Sequence, residues 1–266
     1  MISPEDLAAM QAIASARWRT HGPYVEQHVG DIAWGANPSL GKELVRALLV
    51  EGAYAFRDDD VWHLGGRDDA MPELVARAAE AGASVYALES EGPKVAALRD
   101  AGFTEAGDWL WHCVRDLDDL PPFPSGVVSG EQDPDRRVAL HRAAWTSSRF
   151  TRETYDAVRA TPPYRGDLDV VVGWRAYALA WYDAGSASGE LEPVGTDREH
   201  RRQGYGAQAC VAALHRLREA GATTAVVYAV GDPANQGPRH LYESVGFRVA
   251  DRHVRYLPPT RQNAAP

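Results

Sequence analysis

The sequence predicts a mixed α/β fold made of two similar units, each a mixed, mostly antiparallel sheet flanked by helices. Three observations carry that prediction. Short apolar runs alternate with helical periodicities through the C-terminal half. A proline-rich break, Leu120-Pro121-Pro122-Phe123-Pro124-Ser125-Gly126, divides the 266 residues nearly in two. The halves also resemble each other: Glu80-Ala81-Gly82-Ala83-Ser84 and Ala101-Gly102-Phe103 have counterparts in Glu219-Ala220-Gly221-Ala222-Thr223 and Val245-Gly246-Phe247. That similarity is the mark of an internal duplication, and the length suits two domains. Setting Gly102-Phe103 on Gly246-Phe247 puts Leu98 opposite Tyr242.

The elements of the second half follow in order. Residues 133–145 and 151–161 read as helices, and 167–172, 175–182 and 190–196 as strands joined by Gly/Ser/Asp turns. Residues 183–189, Asp-Ala-Gly-Ser-Ala-Ser-Gly, form a hairpin loop. A helix over 207–220 carries Val211, Leu214 and Leu217 on one face. A strand ending at Val230, a further helix and a last strand through Arg255 complete the sheet.

The densest chemical signal is Val194-Gly195-Thr196-Asp197-Arg198-Glu199-His200-Arg201-Arg202-Gln203-Gly204-Tyr205-Gly206. It reads as a strand end, a glycine turn and a helix start. Unpaired N–H groups and the positive end of the helix dipole favour a pyrophosphate there, and glycines let it approach the backbone. Gly204, Gly206 and Ala209 also satisfy a G-x-G-x-x-A dinucleotide fingerprint. In that motif, however, the glycine turn follows its strand almost directly, whereas residues 196–203 intervene here. A Walker A loop is excluded because no Gly-Lys-Ser/Thr follows.

The strand Gly189-Glu190-Leu191-Glu192-Pro193-Val194 sets Glu190, Glu192 and Val194 on one face by two-residue alternation. An ionised carboxylate on a central strand is costly unless it is solvated or has a function. Proline cannot donate to a sheet ladder, so Pro193 marks a bulge that splays this strand from its neighbour.

The pattern R-x-x-G-x-G formed by Arg201, Gly204 and Gly206, with Asn235, Tyr242, Gly246 and Phe247 in the second block, resembles the GNAT superfamily of N-acetyltransferases. Pro238 replaces the usual alanine, which the first turn of a helix tolerates. The resemblance implies acetyl-CoA as co-substrate, held by Val194, Gly195, Thr196, Arg201, Arg202, Gln203, Gly204, Tyr205, Gly206, Ala207 and Asn235. It implies a backbone N–H near Val194 or Thr196 that polarises the thioester carbonyl, and Tyr242 as proton donor to the departing thiolate. Transfer to an amine requires loss of a proton from an ammonium of pKa near ~10.4, so a base is needed; Glu192 is the first choice and Glu190 the second. The family's acceptor cleft maps onto Trp145, Arg149, Phe150, Tyr155 and Tyr164.

The expected division is a degenerate acetyltransferase-like domain over 1–119, without a cofactor site, and a catalytic domain over 125–266. The first half has no R-x-x-G-x-G and no counterpart of Asn235. The acceptor expected is a primary amine of a small molecule. A CoA-binding sensor without turnover and a protein N-acetyltransferase are the alternatives; Tyr242, two strand carboxylates and a complete turn in one half favour catalysis.

Composition bounds the rest. Thirty-seven acidic against 28 basic residues give a net charge of −9, which argues against a nucleic-acid surface. No apolar run approaches the ~20 residues of a membrane span, and the start Met-Ile-Ser-Pro-Glu-Asp lacks the features of a secretory signal. Cys113 and Cys210 are the only cysteines, and neither C-x-x-C nor H-E-x-x-H occurs, so no metal site is expected and reduced thiols in a cytoplasm are.

Overall fold

The computed structural model of the protein describes residues 2–35, 47–58, 61–130 and 132–260. Helix α1 (Pro4–His21) starts where the Ser3 side chain accepts from the Asp6 N–H, and it buries Met10, Ala14 and Trp18, one residue per turn. After α2 (Val29–Gly35) come β1 (Ala47–Val50), β2 (Ala53–Asp58), β3 (Val61–Gly66), α3 (Met71–Ala81), β4 (Ser84–Leu88), α4 (Gly92–Asp100) and β5 (Thr104–Asp116). The second half contributes β6 (Val127–Val128), α5 (Pro134–Ala144), α6 (Arg152–Ala160), β7 (Asp169–Val172), β8 (Ala176–Asp183), β9 (Ser188–Thr196), α7 (Tyr205–Ala220), β10 (Thr224–Val230), α8 (Gly237–Ser244) and β11 (Arg248–Leu257).

The strands form one sheet in the order β1-β2-β3-β4-β11-β5-β10-β9-β8-β7-β6. Only β3 with β4 and β9 with β10 run parallel; every other neighbouring pair is antiparallel. The mixed, mostly antiparallel α/β class expected from the sequence is the observed one. At the centre the halves exchange their final strands: β11 pairs with β4, and β5 pairs with β10. The two last strands also pair with each other.

Helix α7 lies against β7, β8 and β9. Its Ala209, Ala213, Leu214 and Leu217 are buried with Ala178, Ala180, Leu191 and Val227, and it ends on left-handed Gly221. A second core packs Leu74, Val75 and Ala78 of α3 against Leu64, Val85 and Ala87. Helix α2, from the first half, seats on β8 and β9 of the second. Gly30 makes that seat possible, because a Cβ there would lie 2.4 Å from the Trp181 Cβ.

Candidate active site

Strands β9 and β10 pair only across Ser188–Glu190 and Thr224–Val226. Beyond these rungs β9 runs on to Thr196 and β10 to Val230, so the sheet opens into a slot. The other edge of β9 contributes a bulge. Ala178 faces Val194 and Ala180 faces Leu191, leaving Glu192 and Pro193 opposite Leu179 alone. The Trp181 indole N–H donates to the Glu192 carbonyl at 2.7 Å and fixes that bulge.

Below the slot stands the start of α7. Gly204 adopts φ 84°, a left-handed conformation suited to glycine, as its N-cap. Gly206 is also required for space: a Cβ would lie 2.8 Å from the Thr196 Oγ1. Arg201 donates from Nη2 to the Ala144 carbonyl at 2.9 Å, which ties the turn to the end of α5. Arg202 and Gln203 are exposed and Tyr205 and Ala207 half-buried. Arg175, not singled out by the sequence, donates from Nη1 to the Tyr205 hydroxyl at 2.5 Å. Gly195 is buried between half-buried Val194 and Thr196. Asn235 is exposed in the loop after β10, its N–H bonded to the Asp232 carbonyl at 3.0 Å.

Alternation along β9 decides what enters the slot. Gly189 faces α7, where a Cβ would meet Leu217, and Leu191 joins the α7 core. Ser188 and Glu190 face the segment between α1 and α2 instead. Glu190 is fully buried and neither of its carboxyl oxygens has a hydrogen-bond partner among the described residues. Oxygens of Glu190, Glu192 and Asp31 lie within 4.8 Å of one another. Asp31 comes from α2, so the first half supplies a carboxylate to the cluster. Such a group of oxygens attracts a cation, whether metal ion or ammonium.

His28, 1% exposed, adjoins this cluster. Its Nδ1 is 3.5 Å from a Glu190 oxygen and accepts the Gly30 N–H at 3.1 Å, and its Nε2 is 3.0 Å from the Ser188 Oγ. No motif marks His28 or Asp31; only their distant partners on β9 give them meaning.

Tyr242 on α8 is buried and meets Phe247 edge-on at 5.9 Å. Burial, then Cys210, Cys113 and Glu192, pushes its hydroxyl well above the ordinary phenol range. It therefore holds its proton at neutral pH, as a donor must. Of the residues expected to line an acceptor cleft, Phe150 and Tyr155 are core residues, the latter donating to Asp169 at 2.8 Å. Trp145 and Arg149 are exposed. Tyr164 lines an open cleft of about 750 Å³ together with Asp183.

Strands β3 and β4 repeat the slot's plan, pairing only through Val61–Ser84 and Trp62–Val85. Counting from the left-handed glycines that end α3 and α7, Gly82 and Gly221, makes Val85 equivalent to Thr224, and hence Trp62 to Ser188. Leu64 and Gly66 thus stand where Glu190 and Glu192 stand. A cavity of about 170 Å³ remains, lined in part by Glu26, Glu91 and Lys94. Lys94 Nζ lies 2.5 Å from Glu26 and 2.9 Å from Glu91. Burial alone would raise the Glu26 carboxyl, but Lys94 and hydrogen bonds from His253 and His63 hold it well below the usual carboxylate range.

Residues 123–247 match the profile of the acetyltransferase (GNAT) family. The C-terminal half is a GNAT-family domain. Mycothiol acetyltransferase of Nocardiopsis dassonvillei is 40% identical over 75 residues, which is 28% of this chain and 22% of that protein. Mycothiol acetyltransferase of Thermobispora bispora is 27% identical across 92% of this chain and 93% of its own length. A solved tandem GNAT protein from the clavulanic acid biosynthesis pathway superposes with a TM-score of 0.58 at 14% identity, covering 95% of this chain and 94% of that one. The GNAT likeness therefore spans both halves as fold.

Proposed function

We propose that the protein is an acetyl-CoA-dependent N-acetyltransferase that acts on a primary amine of a small molecule by direct attack on the thioester. The observation that carries this reading is Glu190, buried without a hydrogen-bond partner beside Asp31 and Glu192, at the opening of a slot whose floor is a glycine-started helix. A buried carboxyl left unpaired is costly unless something enters to pair with it. An incoming ammonium does so, and the same contact positions it for deprotonation.

In this reading the pyrophosphate lies on the N–H groups of residues 204–207, beside Arg201, Arg202 and Gln203, with Asn235 at the rim. The unpaired edge of β9 around Val194–Thr196 offers N–H groups to the thioester carbonyl. Glu190 takes the proton of the amine, Glu192 and Asp31 hold the ammonium, and Tyr242 protonates the thiolate. The ranking of the carboxylates follows burial, since Glu192 is half-buried and Glu190 fully so. The half over 1–119 carries no cofactor, and the half over 125–266 is the catalytic unit. The three carboxylates serve the amine, with no resident metal. Among the described residues no helix is long and apolar enough to cross a membrane, and two buried free thiols fit a reducing cytoplasm. The relatives' name makes desacetyl mycothiol the first acceptor to try.

The test is melting temperature with and without acetyl-CoA, then CoA-thiol release on a panel of primary amines: desacetyl mycothiol, glucosamine and cysteinyl amides. A rise in melting temperature and thiol release that persists in EDTA are expected. Binding of acetyl-CoA without acetylation of any amine would favour a sensor, and loss of activity in EDTA would give the carboxylates to a metal.

A further inference from the structure

We propose that His28, Ser188 and Ser186 form a hydrogen-bonded path that takes the amine proton from Glu190 and delivers it to Asp183 at the protein surface. The inference rests on the reading of Glu190 as base. Glu190 is fully buried and faces His28 rather than solvent. A base in that position needs somewhere to send its proton if the amine is not to recapture it before the acyl transfer is complete.

From His28 outward the connection is continuous. His28 Nδ1 is 3.5 Å from Glu190 Oε2, close enough for an ion pair though not a hydrogen bond. The Gly30 N–H pointing at Nδ1 marks that nitrogen as unprotonated, so the ring proton sits on Nε2. Nε2 faces Ser188 Oγ at 3.0 Å, Ser188 Oγ lies 2.6 Å from Ser186 Oγ, and Ser186 Oγ donates to Asp183 Oδ2 at 2.5 Å. Trp18 meets the His28 ring edge-on at 5.1 Å and holds its plane. Asp183 is half-buried and borders the open cleft that Ser15 and Tyr164 also line. Burial would raise its carboxyl, yet hydrogen bonds from Ser186, Ser15 and the Gly185 N–H lower it. The path thus runs from a sealed carboxyl to an ionised one in contact with water.

The protons balance. The amine N–H breaks as the Glu190 O–H forms. That O–H then breaks as Nδ1 gives up the Gly30 N–H and is protonated, while Nε2 passes its proton to Ser188, Ser188 to Ser186 and Ser186 to Asp183. After products leave, the proton on Asp183 returns along the hydroxyls to Nε2, and the imidazolium so formed releases its Nδ1 proton to water through the open slot. In the β3/β4 slot Trp62 stands where Ser188 does, with no hydroxyl to carry the path.

The experiment uses the full chain with acetyl-CoA and the amine of the panel that is turned over fastest. Ser188→Ala and Asp183→Asn each remove a link while keeping the backbone, and Ser188→Thr restores the hydroxyl. A fall in kcat of about tenfold is expected for the first two, with KM for acetyl-CoA unchanged and recovery in Ser188→Thr. Nitrogen-15 NMR of histidine-labelled protein, which needs no acceptor, should show His28 protonated on Nε2 and perturbed at that nitrogen by Ser188→Ala. Values of kcat within twofold of the parent in both variants, or a His28 proton on Nδ1, would overturn the path. Glu190→Gln separates the two failures. If it abolishes turnover while the path variants are fully active, the path alone fails; if it is itself fully active, the base assignment fails and takes the path with it.

Discussion

Between β9 and β10 the sheet opens onto Glu190, Glu192 and Asp31, whereas between β3 and β4 the same divergence opens onto Leu64 and Gly66 with a Lys94–Glu26–Glu91 cluster behind them. One set crowds three carboxylates, with Glu190 lacking a hydrogen bond; the other holds an ammonium between its carboxylates. A cluster of like charges is stable only if a cation joins it, and a matched buried cluster needs nothing further. The helices beneath differ in the same sense. Helix α7 begins at left-handed Gly204 in a turn carrying Arg201 and Arg202, while α3 follows Asp68 and Asp69, which pair with Arg17 and Arg67. The comparison teaches that the backbone plan supplies the slot and the side chains decide whether it acts or holds the molecule together.

Glu190→Gln is the sharpest way to break this contrast. It keeps the shape of the side chain and removes its basicity, so kcat is expected to fall by roughly 10²- to 10⁴-fold, the usual worth of general base catalysis. Acetyl-CoA affinity by calorimetry should not change. A variant that keeps turnover would assign the base to Glu192.

Lys94→Met is the matching change in the other slot. It leaves Glu26 and Glu91 buried without their ammonium, at 1% and 9% exposure, and breaking such a pair from one side costs about 3–5 kcal/mol. Denaturant unfolding should register that loss, with kcat retained in the folded fraction. The pH dependence has a definite sign. Because Glu26 is held below its unfolded value in the folded protein, its contribution is present above a pH of about 4.3 and fades as pH falls below it. Lys94→Met should flatten that acid limb; a variant as acid-labile as the parent would place the effect in other carboxylates.

How far the sequence revealed this arrangement depends on the range of the contacts involved. The turn at Arg201–Gly206 was legible because its glycine requirement is local. The two-residue alternation that puts Glu190 and Glu192 on one strand was legible for the same reason. The hairpin loop was set at 183–189, although β9 already begins at Ser188, and Ser188 takes its role from a histidine 160 residues away. His28 and Asp31 sit in a stretch with no motif and acquire chemistry only because Gly30 lets α2 approach Trp181. The exchange of β5 and β11 between halves was hidden too, since strand periodicity tells which face is buried and not which strand lies alongside. Phe150 and Tyr155 show the converse: aromatic residues in the expected place turned out to be core.

Gly30→Ala tests whether the first half is a working part of the slot. The new methyl would meet Trp181 Cβ, Cγ and Cδ1 at 2.4–2.7 Å, and Trp181 is fully buried, so α2 must shift. Overpacking of this kind costs about 1–3 kcal/mol. Because Asp31 and His28 move with α2, kcat should fall as well, while acetyl-CoA affinity, which we propose that α7 sets, should hold. A destabilised variant with undiminished kcat would mean that the carboxylate from the first half is dispensable.

Tyr242→Phe is expected to have the smallest effect and to say most about the second half. The ring is buried between Cys113, Cys210 and Phe247, and phenylalanine fills the same volume, so stability should change by less than about 1.5 kcal/mol. Loss of the proposed proton donor should lower kcat by about tenfold or more when chemistry limits the rate, leaving acetyl-CoA affinity unaltered. The equivalent position in the first half is Leu98, fully buried, so the pair also asks what a hydroxyl adds to an otherwise shared packing site. If Tyr242→Phe turns over at the parent rate with a thioester whose thiol is a poor leaving group, the hydroxyl is a packing feature like Leu98, and the departing thiolate takes its proton from water entering between β9 and β10.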